Sequence, residues 1–390
     1  MIYGALRAVP GGRKRWSPLF TAVLLGCTFA ACGGDSAPPA HEDATAVAGE
    51  RAAPGSAEDL APGAGTEGER ATGPDTEAEP GQAAASRQGA AGPLEGRSLQ
   101  PLSFVGSVLG ELPPLPEDDP DTWHETERDW AIASGTVEWA REQALGSLPV
   151  GELAAILGAT FVGTPYEPGT LELPGPEQLI VNLRTFDCVT LVEHALVLAR
   201  LATDPTVEPA EAEAFRDRYR EELVRLRYRD ARIDGYASRL HYFTEWLDHG
   251  IAAGHLEEVT DQLGGIVDDR PIDFMSNHPE AYRQLQEEPD LVETIRDIEA
   301  RLSEESRLYV PQERIHEVED GIRNGDIIAA VSTVDGLDIA HTGFAFRLGN
   351  RVHLLHAPLV GDSVEVSSLP LADRIQGIRG QKGIRVVRPR

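Results

Sequence analysis

Lysine is almost missing from this 390-residue chain, which has only Lys14 and Lys382. Basic residues as a whole are outnumbered, 35 against 64 acidic, for a formal charge of −29. That balance argues against a nucleic-acid binder, which needs a basic stripe to meet phosphates. It also argues against electrostatic adhesion to an anionic membrane surface. Cysteine is scarce: Cys27, Cys32 and Cys188 cannot build a disulfide framework. No apolar run spans a bilayer comfortably; the stretch from Leu19 to Ala31 is too short. The remaining composition is ordinary for a globular protein, 41% hydrophobic and 25% charged. The length suffices for one large or two modest domains with a real core.

The N-terminus reads as an address. Arg7, Arg13, Lys14 and Arg15 form a charged start, followed by the short apolar run. Residues 1–32 are therefore expected to be an export signal. The end of the run, Phe29-Ala30-Ala31-Cys32-Gly33-Gly34-Asp35, is similar to a bacterial lipoprotein cleavage site. This makes Cys32 the expected lipidation site, with Cys27 in Leu24-Leu25-Gly26-Cys27 competing and an ordinary cleaved signal peptide as the alternative. The implied partner is a membrane, held through an N-terminal lipid anchor. Gly33 after the cysteine resembles lipoproteins of the Gram-negative outer membrane, so a periplasmic, outer-membrane-anchored location is expected. Residues 33–98 are Ala, Gly, Pro, Glu, Ser and Thr without apolar periodicity, and are expected to be a disordered acidic tether. Residues 99–147 are expected to be a helical extension, and 148–390 the main domain.

The body of the chain reads as α+β. Residues 121–145 have helical character, with Trp123, Trp130 and Trp139 on or near one stripe, expected to be core. A second helix opens at Pro149-Val150-Gly151-Glu152, and a charged amphipathic helix covers 209–228. Residues 255–310 look irregular and then helical. The last 70 or so residues change period. Residues 326–331, 342–348, 351–356 and 383–387 read as strands of a small antiparallel sheet or barrel, with Gly349-Asn350 as a two-residue hairpin turn.

The densest chemistry lies around Cys188. After it the chain runs VTLVEHALVLARLA, apolar almost all round, as expected of a buried central helix. Thr185 or Asp187 can cap its start. Cys188 then sits in the first turn, where the helix dipole favours a thiolate. The hairpin supplies a partner. With the turn at 349–350, opposed residues sum to 699, so Gly343 faces His356 and His341 is the diagonal neighbour of His356 on the same face. His353 faces Phe346 on the other side. Two convergent histidines are too few for zinc, which takes three protein ligands; His241 or Asp338 could complete a set. The pair suits a thiol better: His341 as base to Cys188, with His356 orienting it. No cofactor or metal is called for.

GTPY, FDCVTLVE, GYASRLHYF, NGDIIA and the DIAHTGFAF…HLLHA hairpin resemble the N-acetylmuramoyl-L-alanine amidase-like family of the NlpC-type, papain-like superfamily of cell-wall cysteine hydrolases. The resemblance covers about residues 148–390. Its Gly-Asp and His-x-Gly elements read here as Gly325-Asp326 and His341-Thr342-Gly343. Val189-Thr190 departs from the commoner Ser-Gly, which fits the amidase-like branch better than the endopeptidase branch. The resemblance implies a papain-like fold, with Cys188 as nucleophile, His341 as base and an orienting third residue, for which His353 has the spacing and His356 the Leu-Leu-His-Ala context, the hairpin register favouring His356. It implies that Tyr166 approaches the cysteine and that Asp187 lies beside the substrate peptide. The substrate would be a muropeptide, a peptidoglycan fragment cut between muramic or anhydromuramic acid and L-Ala. Arg239, His241 and Tyr242 are candidates for substrate contact, since a stem peptide carries carboxylates that Arg binds bidentately. For Arg239 and His241 the alternative is structural, an internal ion pair and a core imidazole. Asn277 and Asp338 are expected to fix turns. Three other functions stay open: a γ-D-glutamyl–diamino acid endopeptidase on the same site, a catalytically silent wall-binding lipoprotein, and a zinc amidase.

Overall fold

The computed structural model describes residues 124–359 and 363–390. The export signal, Cys32, the tether and Trp123 lie outside the described residues. Helix α1, Glu127–Glu142, begins with a capping box in which the Thr126 hydroxyl accepts from the Asp129 N–H. Asp129 is fully buried, and its Oδ1 also accepts from the Leu183 N–H at 2.8 Å and the Arg184 guanidinium at 3.1 Å. One carboxylate thus ties α1 to the segment leading into Cys188. Trp130 is buried, edge-on to Tyr219; Trp139 is half-buried.

Helix α2, Val150–Ala159, and helix α3, Cys188–Thr203, pack along each other. The apolar run of α3 explains its place: Leu191, Val192, Ala195, Leu196, Val197, Leu198 and Ala199 are all fully buried. It is surrounded by α1, α2, helix α4 (Ala212–Arg227) and the sheet. Helix α5, Phe243–Ala252, follows, then strands β1 (Leu256–Glu258) and β2 (Ile266–Asp268). Helix α6, Leu291–Glu304, packs its apolar stripe on Tyr236, Tyr242, Phe274 and Met275.

The C-terminal part is a sheet. Strands β3 (Arg307–Pro311), β4 (Ile327–Ser332), β5 (Ile339–Leu348), β6 (Arg351–His356) and β7 (Glu365–Val366), helix α7 (Leu371–Gly377) and β8 (Gln381–Pro389) complete the chain. Hydrogen bonding runs β2-β3-β8-β4-β5-β6-β7, with β1 also on β8, all antiparallel. The path has two ends, so of the two expected forms the described strands make a sheet and not a closed barrel. One face carries Ile328, Ala330, Val352, Leu354, Ile384 and Val386 against Leu371 and Ile375 of α7; α3 packs on β5.

The Gly325-Asp326 pair is architectural. Gly325 has φ +82°, and a Cβ there would lie 2.0 Å from the Gly151 carbonyl oxygen, so α2 abuts the start of β4. Asp326 is 1% exposed, accepts from the Arg323 N–H and forms a two-toothed ion pair with Arg388, 2.7 Å on each side. Asp326→Ala should cost about 2 kcal/mol, since the charge-assisted bonds to the partly exposed Arg388 and the bond from the Arg323 N–H are lost together. A urea-unfolding midpoint unchanged from the parent would contradict this.

Candidate active site

Cys188 is the first residue of α3, and Asp187 is its N-cap. The Asp187 Oδ1 accepts from the backbone N–H of Val189 at 3.0 Å and of Thr190 at 2.8 Å, and from the Thr190 hydroxyl at 2.9 Å. The Thr190 hydroxyl accepts from the Asp187 N–H in return, closing a capping box. The cap orients the first turn and fixes the half-buried Cys188 side chain at the helix mouth. Tyr166 is brought alongside by a bridge to Phe186, with Pro165 and Glu167 hydrogen-bonded to Phe186 on either side.

The hairpin register is the expected one. Phe344 faces Leu355, Ala345 faces Leu354 and Phe346 faces His353, each pair summing to 699. The His341 Nε2 and His356 Nδ1 are 2.8 Å apart, with the rings edge to face. Gly343 makes this possible, since a Cβ there would meet the Leu355 carbonyl at 2.4 Å and the His356 Cβ at 3.0 Å. His353 is elsewhere, its Nδ1 on the Ser367 carbonyl.

A cavity of about 300 Å³ joins these elements. Tyr166, Asp187, Cys188, Arg239, His241, Tyr242 and His341 all line it, while His356 lies behind His341, fully buried. Three of the lining residues are committed elsewhere. Arg239 pairs with Glu172 at 2.7 Å and Glu177 at 3.2 Å and stacks on Tyr236. The His241 Nε2 lies 2.8 Å from the Tyr236 carbonyl oxygen. The Tyr242 hydroxyl donates to Glu299 and accepts from the Met275 N–H. These groups form part of the cavity wall. Asp338 also lines it, but its Oδ2 accepts from the Thr244 N–H and so caps α5. The Asn277 N–H closes a turn onto the Asp273 carbonyl.

Two further residues, Glu193 and Arg227, were not singled out from sequence. They line the cavity floor as an ion pair, 2.9 Å from the Arg227 Nε to the Glu193 Oε2, with both side chains at most 2% exposed. Glu193 is conspicuous as a charge within the apolar α3 run. Arg227 is one of many charges on α4, and nothing local marks it as the buried one. Among the described residues no three His, Cys, Asp or Glu side chains group as metal ligands.

Burial holds His341 well below the ordinary imidazole range, with His356 and Arg374 pushing the same way. Burial and Arg374 do the same for His356. The His341 imidazole is therefore held in its neutral form near pH 7. His194 and His241 are likewise depressed, mainly by burial. The unfolded chain takes up these protons near pH 6.5, while the folded chain does not. Stability is thus fully present above about pH 6.5 and is lost as pH falls below it. Glu193 and Asp338, raised by burial, act in the opposite sense nearer the carboxylate range. The thermal midpoint should fall between pH 7 and 5.5; a flat profile would contradict the buried, neutral histidines.

The family model described as AmiA-like, N-acetylmuramoyl-L-alanine amidase-like, matches residues 156–383. The chain is similar to an N-acetylmuramoyl-L-alanine amidase from Bacteroides uniformis, at 35% identity and a TM-score of 0.57, over 62% of this chain and 99% of that one. It is also similar to a Bacteroides fragilis protein provisionally named a xylanase, at 36% identity and a TM-score of 0.55, over 59% of this chain and 98% of that one. No curated protein sequence matches it. The matched segment takes in the capped cysteine, the paired histidines and most of the sheet that holds them, and the chain belongs to the N-acetylmuramoyl-L-alanine amidase-like family.

Proposed function

We propose that the cavity is the active site of a cell-wall cysteine amidase with a papain-like, NlpC-type arrangement, and that it cuts the amide between muramic or anhydromuramic acid and L-Ala. The observation that carries this reading is the lining of one cavity by Cys188 and His341, with His356 hydrogen-bonded to His341. The Cys188 thiol gives its proton to His341 as sulfur attacks the muramic lactyl carbonyl. The oxyanion is met by the Cys188 backbone N–H. The C–N bond breaks as His341 protonates the departing L-Ala amine, leaving a muramoyl thioester. Water then attacks, giving a proton to His341, and the C–S bond breaks. Muramic carboxylate leaves and the thiol is restored. Tyr166 and the helix start border the scissile bond, while Arg239, His241 and Tyr242 wall the side that takes the stem peptide.

Glycoside hydrolysis, which the provisional xylanase name would suggest, needs two available carboxyl groups across a sugar bond. Among the described residues, the four carboxylates lining this cavity are committed: Asp187 and Asp338 cap helices, Glu172 holds Arg239 and Glu193 holds Arg227. The export signal, the lipid on Cys32, the tether and a periplasmic location complete the reading. They place the domain where wall fragments are found.

The test is product identity. The full-length protein is incubated with defined muropeptides and the products are weighed by mass spectrometry. Free sugar plus an intact peptide beginning with L-Ala supports the amidase. A cut between D-Glu and the diamino acid moves the protein to the endopeptidase reading. Inhibition by a chelator but not by a thiol alkylator would point to zinc. No product from any muropeptide brings forward the wall-binding lipoprotein.

A further inference from the structure

His356 has a second nitrogen that the catalytic reading leaves unused. Its Nε2 is buried in a side chain that is 0% exposed, and it makes no hydrogen bond. Among the described residues the carboxylate that faces it is that of the part-exposed Glu365, with Oε1 at 3.5 Å and a side chain 41% exposed. The contact follows from the sheet, because Glu365 lies directly opposite His356 where β7 pairs with β6.

Proton bookkeeping gives that contact a role. For His341 to accept the Cys188 proton, one of its ring nitrogens must be bare. Its Nε2 faces the His356 Nδ1, so the accepting nitrogen is Nδ1, and Nε2 carries the proton. The His341 Nε2–H then donates to the His356 Nδ1. That fixes His356 as the Nε2–H tautomer, whose N–H points to a buried position and needs an acceptor. The reverse tautomer of His356 would donate to His341, put the proton on the His341 Nδ1 and leave Cys188 without a base.

We propose that Glu365 is a positioning residue for the reaction: its carboxylate accepts from the His356 Nε2–H, fixes the tautomer of both imidazoles and stabilises His341 when it becomes imidazolium. The chain of donors runs from the Cys188 thiol to His341, to His356 and to Glu365, and no proton need leave His356. Arg374 is the other charge that acts on this group, lowering Glu365 while burial raises it. It also disfavours protonation of both histidines. A carboxylate at the end of the chain offsets that field. The proposal rests on the Cys188–His341 reading, but not on the identity of the substrate.

The experiment therefore uses no substrate. Full-length wild-type protein and Glu365→Gln are alkylated with iodoacetamide across pH 5–9, and labelling is followed on the tryptic peptide that carries Cys188. Glu365→Gln should lower the rate at pH 7 by up to about tenfold and move the alkylation profile to higher pH. In a His356→Asn background the same substitution should have no further effect. The 15N shifts of the wild-type imidazoles read the tautomer independently of any variant, and should show the proton of His356 on Nε2. Identical wild-type and Glu365→Gln profiles, an undiminished effect in the His356→Asn background, or a proton on the His356 Nδ1 would each overturn the proposal. If the profile shifts as expected but no muropeptide is cut, the substrate reading fails and the role of Glu365 stands. A wild-type Cys188 that titrates like a free thiol and shows no dependence on Glu365 or His356 would end both.

Discussion

Cys188→Ala should leave a folded protein with no detectable amidase activity, a loss of at least about 10⁴-fold. In the proposed mechanism the loss is large because a nucleophile and its base act as a unit, so removing one removes the covalent route entirely. The fold should survive for local reasons. Cys188 is the first residue of α3 and only half-buried. The cap runs from Asp187 to Val189 and Thr190, so none of its hydrogen bonds uses the Cys188 side chain. Alanine is the best helix former. Stability should change by less than about 1 kcal/mol. Product release and a thermal midpoint, measured on the same preparation, check both halves. Activity that survives in a folded variant would mean that another group attacks the amide.

The largest expected effect on stability is at the cavity floor. Arg227→Met leaves Glu193 fully buried without its guanidinium, and also removes the bond from Arg227 to the Ile180 carbonyl at 2.7 Å. Breaking one side of such a pair should cost about 3–5 kcal/mol. The cost has a pH signature. Burial already raises the Glu193 carboxyl, and without Arg227 it rises further. The folded variant then binds a proton that the unfolded chain releases, so the destabilisation grows as pH rises above the ordinary carboxylate range. Replacing both partners, Glu193→Leu with Arg227→Met, should restore most of the stability, because two apolar side chains carry no desolvation cost. Guanidinium unfolding of the parent, the single variant and the double variant at two pH values tests this. A single variant as stable as the parent would show that the pair is not under strain of burial.

The hairpin's turn and register are legible in the sequence, although β5 begins at Ile339, three residues before the expected start at 342. A two-residue turn and a period of two leave one register, and the His341–His356 contact follows from that register by counting residues. The start of α3 is legible for a similar reason: a capping residue, a cysteine and an apolar run specify where the helix begins and which way it is buried. Strands β1, β2, β3 and β7 are not legible. β1, β2 and β7 have two or three residues, too few to show a period, and the five of β3 follow closely on a helix in a stretch that reads as irregular and then helical. With β7 goes Glu365, whose relation to His356 exists only through that pairing. From sequence, the fate of Arg239 is open between substrate contact and internal ion pair. The structure gives it both Glu172 and a place on the cavity wall, because the deciding carboxylates lie 67 and 62 residues away in the chain. Asp187 reads differently again. Its main observed task is to cap α3, and its place at the cavity follows from that.

In the proposed reaction Cys188 is acylated by the muramic carboxyl. The most direct test is the mass of the enzyme caught during turnover. Full-length protein is mixed with a defined muropeptide, quenched in acid within the first turnover and weighed intact, and the adduct is mapped to a peptide. The expected gain equals the muramoyl group alone, on Cys188, with the stem peptide already released. A gain that includes L-Ala and D-Glu would place the cut within the stem. An adduct on another residue, or efficient turnover with no adduct under any quench, would contradict the thioester account.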